Sequence, residues 1–219
     1  MGFIIRVLPF IDGLQESPIL FYQPDNNYYV RRVLTILNNF PTIPRADIFL
    51  SYPKLSEFPS PPFYSIFLAF LSYVFGLGSP TEHTVELTTS LTTAFFGAMI
   101  ALPVYLFAKK IIERRFIAII CALISVIVPL HYWYTNAFAG DHHAIEVFLA
   151  LMGFYFLGDF LEKKSLSNRF LYIFYTTALF LVWQGAILYL GLMVIFVFFY
   201  GLIKKNWQIF FDFGINNLV

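Results

Sequence analysis

Long apolar runs separated by short polar connections make up most of the sequence after residue 62. Each run is long enough to form a helix that crosses a bilayer or lies along its surface. The last run would form a helix of about 50 Å, longer than the roughly 30 Å of a hydrocarbon core. We therefore expect it to be divided into two spans at Trp183-Gln184-Gly185. The runs are 63–78, 87–108, 116–134, 144–161 and 170–203.

Residues 1–62 have a mixed pattern and contain nine of the twelve prolines of the chain. Apolar residues at helical spacing between Tyr29 and Phe40 predict one helix in this region. The proline-rich stretch 38–64 favours extended conformations instead. The pattern thus predicts a long front region of loop and short helices, followed by closely spaced apolar helices.

The composition indicates whether lipid or water surrounds the apolar surface. The 219 residues are 59% hydrophobic and 12% charged, whereas soluble domains carry about a quarter charged residues. The mean hydropathy is +0.72. We therefore predict an all-α fold, a polytopic transmembrane helical bundle covered by membrane lipid. The formal net charge of +1 gives no reason to expect a nucleic-acid partner, and the single Cys121 excludes an intrachain disulfide.

Basic residues after residue 100 occur in three clusters, and the connections between those clusters contain none. The positive-inside rule places the clusters in the cytoplasm and the alternate connections, 78–86, 135–143 and 183–185, outside. This alternation predicts transmembrane helices at about 87–108, 116–134, 143–162, 169–183 and 185–203. The clusters are Lys109, Lys110, Arg114 and Arg115; Lys163, Lys164 and Arg169; and Lys204 and Lys205.

The segment 63–78 has two interpretations. It is short for a span, and both of its ends lack basic residues, so a helix that grazes the outer interface fits as well as a span. The choice decides whether the front region and the connection 135–143 lie on the same side of the membrane.

The polar sequence Asp141-His142-His143 lies between two apolar runs, where an outer connection becomes a helix. A plain interpretation is helix capping, because Asp favours the positive end of a helix dipole. The other is a divalent cation site, since Asp and His are ligands for manganese, zinc or iron and Asp141 and His143 can converge. Such a site needs a further ligand from elsewhere in the chain. Glu146, one turn later, is either a ligand, a support for the ligands or an interfacial charge.

Asp25 is the second candidate. It follows Pro24 and precedes two Asn in an aromatic setting, which also fits an ordinary Asx turn. Arg31 and Arg32 are able to neutralise phosphate, and equally fit solvated surface charge.

Taken together and in this order, four stretches resemble the catalytic subunit of N-oligosaccharyltransferase, an integral membrane glycosyltransferase of the GT-C class, in its archaeal form. PDNNYYVRR resembles the first acidic motif of that family, with Asp25 and Arg31 at its key positions. AGDHHAIE resembles the second acidic motif. Between them lie ADIFLSYPK with FPSPPFY, similar to later parts of the first external loop, and then SPTEHTVE, which leads into the next helix.

The resemblance implies a site and a reaction. Asp25, Asp141 and His143 would bind one divalent cation, Mn²⁺ or Mg²⁺, and Asp25 would also act on the acceptor amide. His142, Glu146 and Arg31 would support the ligands or contact substrate. The partners would be a lipid-linked oligosaccharide and a polypeptide with an Asn-X-Ser/Thr sequon. The protein would be a multi-pass cell-membrane protein with its active-site loops on the external face, so 63–78 would graze the outer interface.

The resemblance also implies that the chain is an N-terminal fragment, because family members are several times longer. Residues 1–10 resemble the end of a first transmembrane helix, and 11–86 resemble the first external loop. Residues 204–219 are then a cytoplasmic tail or a truncated continuation. A third acidic residue and the C-terminal domain are missing, so we expect this part alone to be inactive. Tyr29 stands where family members often have His.

Three other functions compete with this one. A protein O-mannosyltransferase-like enzyme pairs an external acid with a membrane core, but gives no reason for the two histidines. A metal or proton transporter would line a path with these ionisable residues, but such residues usually lie near the bilayer midplane. A noncatalytic scaffold subunit would use the polar residues only as a helix cap.

Overall fold

The computed structural model describes residues 1–210 and 213–214. The structure is 71% helical with a small sheet, which confirms the predicted helical class. The chain forms two compact units, Met1–Phe148 and Leu149–Val219. The helices of the first unit are α1 (Gly2–Val7), α2 (Pro24–Asn39), α3 (Phe63–Phe75), α4 (Glu82–Met99), α5 (Ala101–Ile112), α6 (Arg115–Ile127), α7 (Pro129–Thr135) and the start of α8 (His143–Lys163).

The small sheet corrects the all-α prediction. Strands β1 (Ala46–Ser51) and β2 (Lys54–Glu57) form an antiparallel hairpin within the proline-rich stretch. The prolines concealed this hairpin, although Ile48, Phe49 and Leu50 favour a strand. Asp47 ties the hairpin to α2, because both of its carboxylate oxygens contact Arg31, at 2.6 and 2.9 Å.

Helix α2 begins where the sequence supplies helix-starting residues. Gln23 is extended, and Pro24, at the N-terminal end of the helix, has the fixed φ that suits a first turn. Asp25 lies in that first turn, where the helix dipole favours a negative charge. At the other end, Phe40 is extended before Pro41, as expected for a residue that precedes proline. These two ends place Asp25 at the entry of a 16-residue helix.

Helix α4 begins at Glu82, five residues before the predicted start of its apolar run. Thr81 and Thr84 form a capping box: each side chain accepts a hydrogen bond from the backbone N–H of the other. The helix is interrupted between Met99 and Ala101 and continues as α5. Pro103 explains the interruption, because it has no N–H to donate to the carbonyl four residues earlier.

The run 116–134, predicted as one helix, is bent in the structure. Helices α6 and α7 meet at Val128 with an angle of 58° between them. Pro129 forces Val128 out of helical conformation, with ψ at 123°.

The second unit contains the rest of α8 together with α9 (Leu166–Val182) and α10 (Ile187–Ile203). The run 170–203 is interrupted at Trp183, which is extended, and a short 3₁₀ turn (Gln184–Ala186) leads into α10. The core of this unit is built from large apolar side chains of the helices and of the segment after them: Leu157, Phe160, Leu161, Tyr172, Met193, Val197, Ile209 and Phe213.

Three helices in the described part of the chain are long and apolar enough to cross a membrane: Glu82–Ile112, His143–Lys163 and Gln184–Ile203. The bent pair α6 and α7 is a fourth if it is counted as one span. Helices α3 and α9 are apolar but shorter.

Candidate metal centre

Asp141, His142 and His143, here called the DHH cluster, lie where the connection after α7 turns into α8. Gly140 precedes them with a φ of +53°, a left-handed conformation that glycine adopts without a steric cost. Asp141 and His142 are buried, whereas the side chain of His143 is 39% exposed. The cluster is therefore a buried carboxylate with one imidazole open to its surroundings.

The three side chains converge. One oxygen of Asp141, Oδ1, accepts hydrogen bonds from the backbone N–H and from Nδ1 of His142, each at 2.5 Å. The other, Oδ2, lies 3.5 Å from Nε2 of His143. Burial raises the pKa of Asp141, but the hydrogen bonds from His142 and the positive charge of His142 and His143 lower it more, so this pKa lies below its ordinary value. The carboxylate is consequently ionised at neutral pH.

Glu146 lies one turn further along α8 and is buried. Its Oε2 lies 2.9 Å from Nδ1 of His143 and 3.6 Å from Nε2 of His142. Because a carboxylate only accepts, Nδ1 of His143 carries a proton. Glu146 raises the pKa of His143 through this hydrogen bond. In the neutral form of the imidazole, Nε2 is then the nitrogen with the lone pair that a metal ligand requires.

Asp25 reaches the same region from α2. Its own side chain is exposed, and its charge acts on the His143 imidazole. Asn26, which is fully buried, donates from Nδ2 to the carbonyl of Phe138 at 2.9 Å. Tyr29 follows one turn later, with its hydroxyl 3.0 Å from Nδ1 of His142. The first turn of α2 is therefore bonded directly to the connection that carries the DHH cluster.

Arg31 contacts the β-hairpin. It is ion-paired with Asp47, and its guanidinium lies 4.0 Å from the ring centre of Phe49. Its neighbour Arg32 is buried and donates to the carbonyl of Ser60 at 2.8 Å. Both arginines thus hold later segments of the front region to α2.

The DHH cluster suits a divalent cation. Each of its residues offers one ligand atom, and these atoms lie within 4.8 Å of one another. One carboxylate and two imidazoles form a mixed oxygen and nitrogen donor set, which first-row divalent metals accept. Among the described residues, Asp25 is outside this group of mutually close ligand atoms. The structure therefore brings Asp141 and His143 together and leaves Asp25 nearby.

Residues 15–213 match the family model described as Oligosaccharyl transferase STT3, N-terminal. The chain belongs to this family. The match covers the two acidic motifs and the helices between and after them, so the resemblance predicted from those motifs is confirmed.

Several archaeal proteins are similar to this STT3-family chain in sequence. Dolichyl-phosphooligosaccharide-protein glycotransferase 1 of Archaeoglobus fulgidus is 27% identical over 138 residues, which is 63% of this chain and 22% of the relative. Glycotransferase 2 of the same organism is 26% identical over 196 residues, which is 89% of this chain and 31% of the relative. The AglB protein of Haloferax volcanii is 27% identical over 68% of this chain and 14% of its own length. The chain thus spans less than a third of these relatives.

Solved structures show the same fold. The apo crystal structure of the Archaeoglobus fulgidus oligosaccharyltransferase matches 91% of this chain and 24% of its own, with a TM-score of 0.80 and 19% identity. A crystal structure of that enzyme in complex with Zn and sulfate matches with a TM-score of 0.79 and 19% identity, over 91% of this chain and 26% of its own.

The structure adds residues to the candidate site that sequence reasoning missed. The Asp141 carbonyl accepts hydrogen bonds from the Tyr64 hydroxyl of α3, at 3.4 Å, and the Thr93 hydroxyl of α4, at 3.2 Å. Asn26 and Tyr29 complete the set. Tyr29 stood in the aromatic setting of the first motif, but nothing in the sequence indicated that Tyr64 or Thr93 reaches the second motif.

Replacing Gly140 by Ala is expected to lower the thermal unfolding midpoint clearly. The left-handed backbone costs a side chain about 1–2 kcal/mol, and the added Cβ would lie 2.9 Å from Cγ of Asn26. Gly191→Ala is the matched control, because its Cβ meets nothing within 4 Å in a helix. Equal midpoints for the two variants would contradict both the left-handed backbone at Gly140 and its close contact with Asn26.

Proposed function

We propose that this chain is the membrane-embedded front part of an oligosaccharyltransferase. The enzyme transfers an oligosaccharide from a lipid-linked donor, a polyprenyl or dolichyl phosphate or pyrophosphate, to the asparagine of an Asn-X-Ser/Thr sequon. The names of the relatives support this reaction. Two structures of the Archaeoglobus fulgidus enzyme also support it: one is in complex with an inhibitory peptide and a dolichol-phosphate, and the other is tethered to an acceptor peptide with an NVT sequon.

One observation carries the proposal: the bond between Asn26 and the carbonyl of Phe138, at 2.9 Å. It joins the residue after Asp25 to the connection that carries Asp141 and His143. Two motifs that are remote in sequence are thereby held at one place, as a shared cation site requires. A helix cap alone gives no reason for that link.

The residues that would hold the cation are Asp25, Asp141 and His143. A bound Mn²⁺ or Mg²⁺ would neutralise the charge that develops on the phosphate leaving group. Glu146 fixes the His143 imidazole through Nδ1, and the buried Asp141 stays ionised because its histidine neighbours lower its pKa. Zn in the related crystal structure supports a metal-binding fold, and the donor set accepts Mn²⁺ as well.

Asp25 has a further role in the proposal. Its exposed carboxylate at the start of α2 accepts a hydrogen bond from the N–H₂ group of the acceptor asparagine. An amide nitrogen is a poor nucleophile because its lone pair is delocalised into the carbonyl. A carboxylate that holds this group orients it for attack on the anomeric carbon of the donor sugar.

The topology that we propose follows the basic clusters. The chain is a multi-pass cell-membrane protein in which α4 with α5, α6 with α7, α8, α9 and α10 each cross the bilayer. The three clusters face the cytoplasm, and the DHH cluster lies at the outer boundary. Helix α3 lies along the outer interface, which keeps Asp25 on the same side as His143.

A glycosylation assay tests the proposed reaction. Membranes that contain the protein, expressed from its complete reading frame, are given a lipid-linked oligosaccharide and a fluorescent Asn-X-Thr peptide. We expect a glycopeptide that EDTA abolishes and added Mn²⁺ restores. A matched peptide with Gln in place of Asn controls for sequon recognition. Failure to modify the Asn-X-Thr peptide under any of these conditions would exclude the reaction.

A further inference from the structure

We propose that Tyr29 and His142 are positioning residues, which hold the Asp141 carboxylate in the one orientation that presents Oδ2 to the cation. This inference rests on the proposed function, because it assigns roles around the same site. In this role Tyr29 touches neither the cation nor the substrate, and His142 orients Asp141 instead of serving as the third ligand that the DHH cluster offers. Their task is to determine which oxygen of Asp141 remains free.

The backbone of Asp141 is fixed first. Tyr64 and Thr93 donate hydrogen bonds to its carbonyl from two different helices, α3 and α4. Asp141 is only 1% exposed, so the surrounding atoms leave its side chain little room. The remaining freedom of the residue is rotation of its carboxylate group.

His142 removes that freedom. Its backbone N–H and its Nδ1 both lie 2.5 Å from Oδ1 of Asp141. Since an ionised carboxylate only accepts, the proton must be on Nδ1 of His142. Oδ1 is thereby occupied twice, and Oδ2 is left facing Nε2 of His143 at 3.5 Å.

Tyr29 holds the His142 ring in place. Its hydroxyl oxygen lies 3.0 Å from the same Nδ1, so it accepts from the N–H group that also serves Asp141. Tyr29 itself is 2% exposed, and its ring packs edge-on against Tyr28 and Tyr64, with centroids 5.0 Å apart in both pairs. A rigid residue of the first motif thus sets the orientation of a ligand in the second motif.

Mn²⁺ titration of the detergent-purified protein, expressed from its complete reading frame and followed by calorimetry, tests the inference. Residues that orient metal ligands typically change affinity by about 10- to 100-fold, so we expect Tyr29→Phe to weaken binding about tenfold. Tyr28→Phe is the matched control, because it removes an adjacent hydroxyl that bonds to Ser60 and Arg32 instead. The unfolding midpoint without metal should be similar for the two variants.

Two variants of His142 distinguish the role of Nδ1 from that of Nε2. The amide nitrogen of Asn takes the place of Nδ1, so His142→Asn should keep most of the Mn²⁺ affinity that His142→Ala loses. Equal loss in both would mean that Nε2 is itself a ligand, and would overturn the positioning role. Unchanged affinity in Tyr29→Phe would overturn the role of Tyr29. If the unaltered protein bound no Mn²⁺, the proposed function would fail instead.

Discussion

Asp141→Asn is expected to reduce oligosaccharide transfer on the order of a thousandfold and to weaken Mn²⁺ binding severely. A cation at a phosphate leaving group supplies several kcal/mol of charge stabilisation, and about 4 kcal/mol corresponds to roughly a thousandfold in rate. The amide keeps the size of the side chain but loses the charge that the cation needs. The measurement is the initial rate of glycopeptide formation at saturating Mn²⁺.

Asp12→Asn is the matched control for this prediction, because it makes the same change at an exposed acid of the front region. Its transfer rate should equal that of the unaltered protein. Full activity of Asp141→Asn would contradict the cation site and return the DHH cluster to the role of a helix cap. Circular dichroism shows whether Asp141→Asn is folded. If it is not, His143→Ala is measured in its place.

Cysteine labelling is expected to give an all-or-none pattern across the membrane. In a Cys121→Ser background, single cysteines at Asn27 and Gln184 should react with an impermeant thiol reagent added outside intact cells. Cysteines at Ser167 and Asn206 should react only after the membrane is opened. All four positions are exposed in the structure, so burial does not limit their reaction.

The decisive comparison is between Asn27 and Gln184. Labelling of both from outside would support an interfacial α3 and a shared site for Asp25 and His143. Protection of Asn27 with labelling of Gln184 would make α3 a span, and the shared site would then be impossible. A transporter function would in that case become the better interpretation of the DHH cluster.

The sequence pattern predicted structure best where the bilayer or helix geometry allows only one kind of secondary structure. The apolar runs predicted the helical class, because few other structures satisfy their backbone groups inside a bilayer. It failed at the hairpin β1–β2, where prolines concealed a short strand, and at the bend before Pro129, where apolar residues continue through a break in the helix.

In the candidate site, too, the sequence indicated some residues and missed others. Asp141 and His143 stood out as candidates because they are ionisable residues between apolar runs, whereas Asp25 became a candidate only through the family resemblance. Tyr64 and Thr93 were not, because each bonds to a carbonyl through a side chain that also fits an ordinary buried helix face. Such residues are recognised only when the structure shows which backbone group they bond to.

The long separation between Asn26 and Phe138 also constrains how the protein is made. The two bonded residues are 112 positions apart, and ribosomes add about 5–20 residues per second. Synthesis of the second motif therefore follows that of the first by roughly 6 to 22 s. Meanwhile Arg32 can hold α2 to Ser60, a much earlier partner. A cation shared by the two motifs would thus be bound late in biogenesis, only after the helices up to α7 have been synthesised.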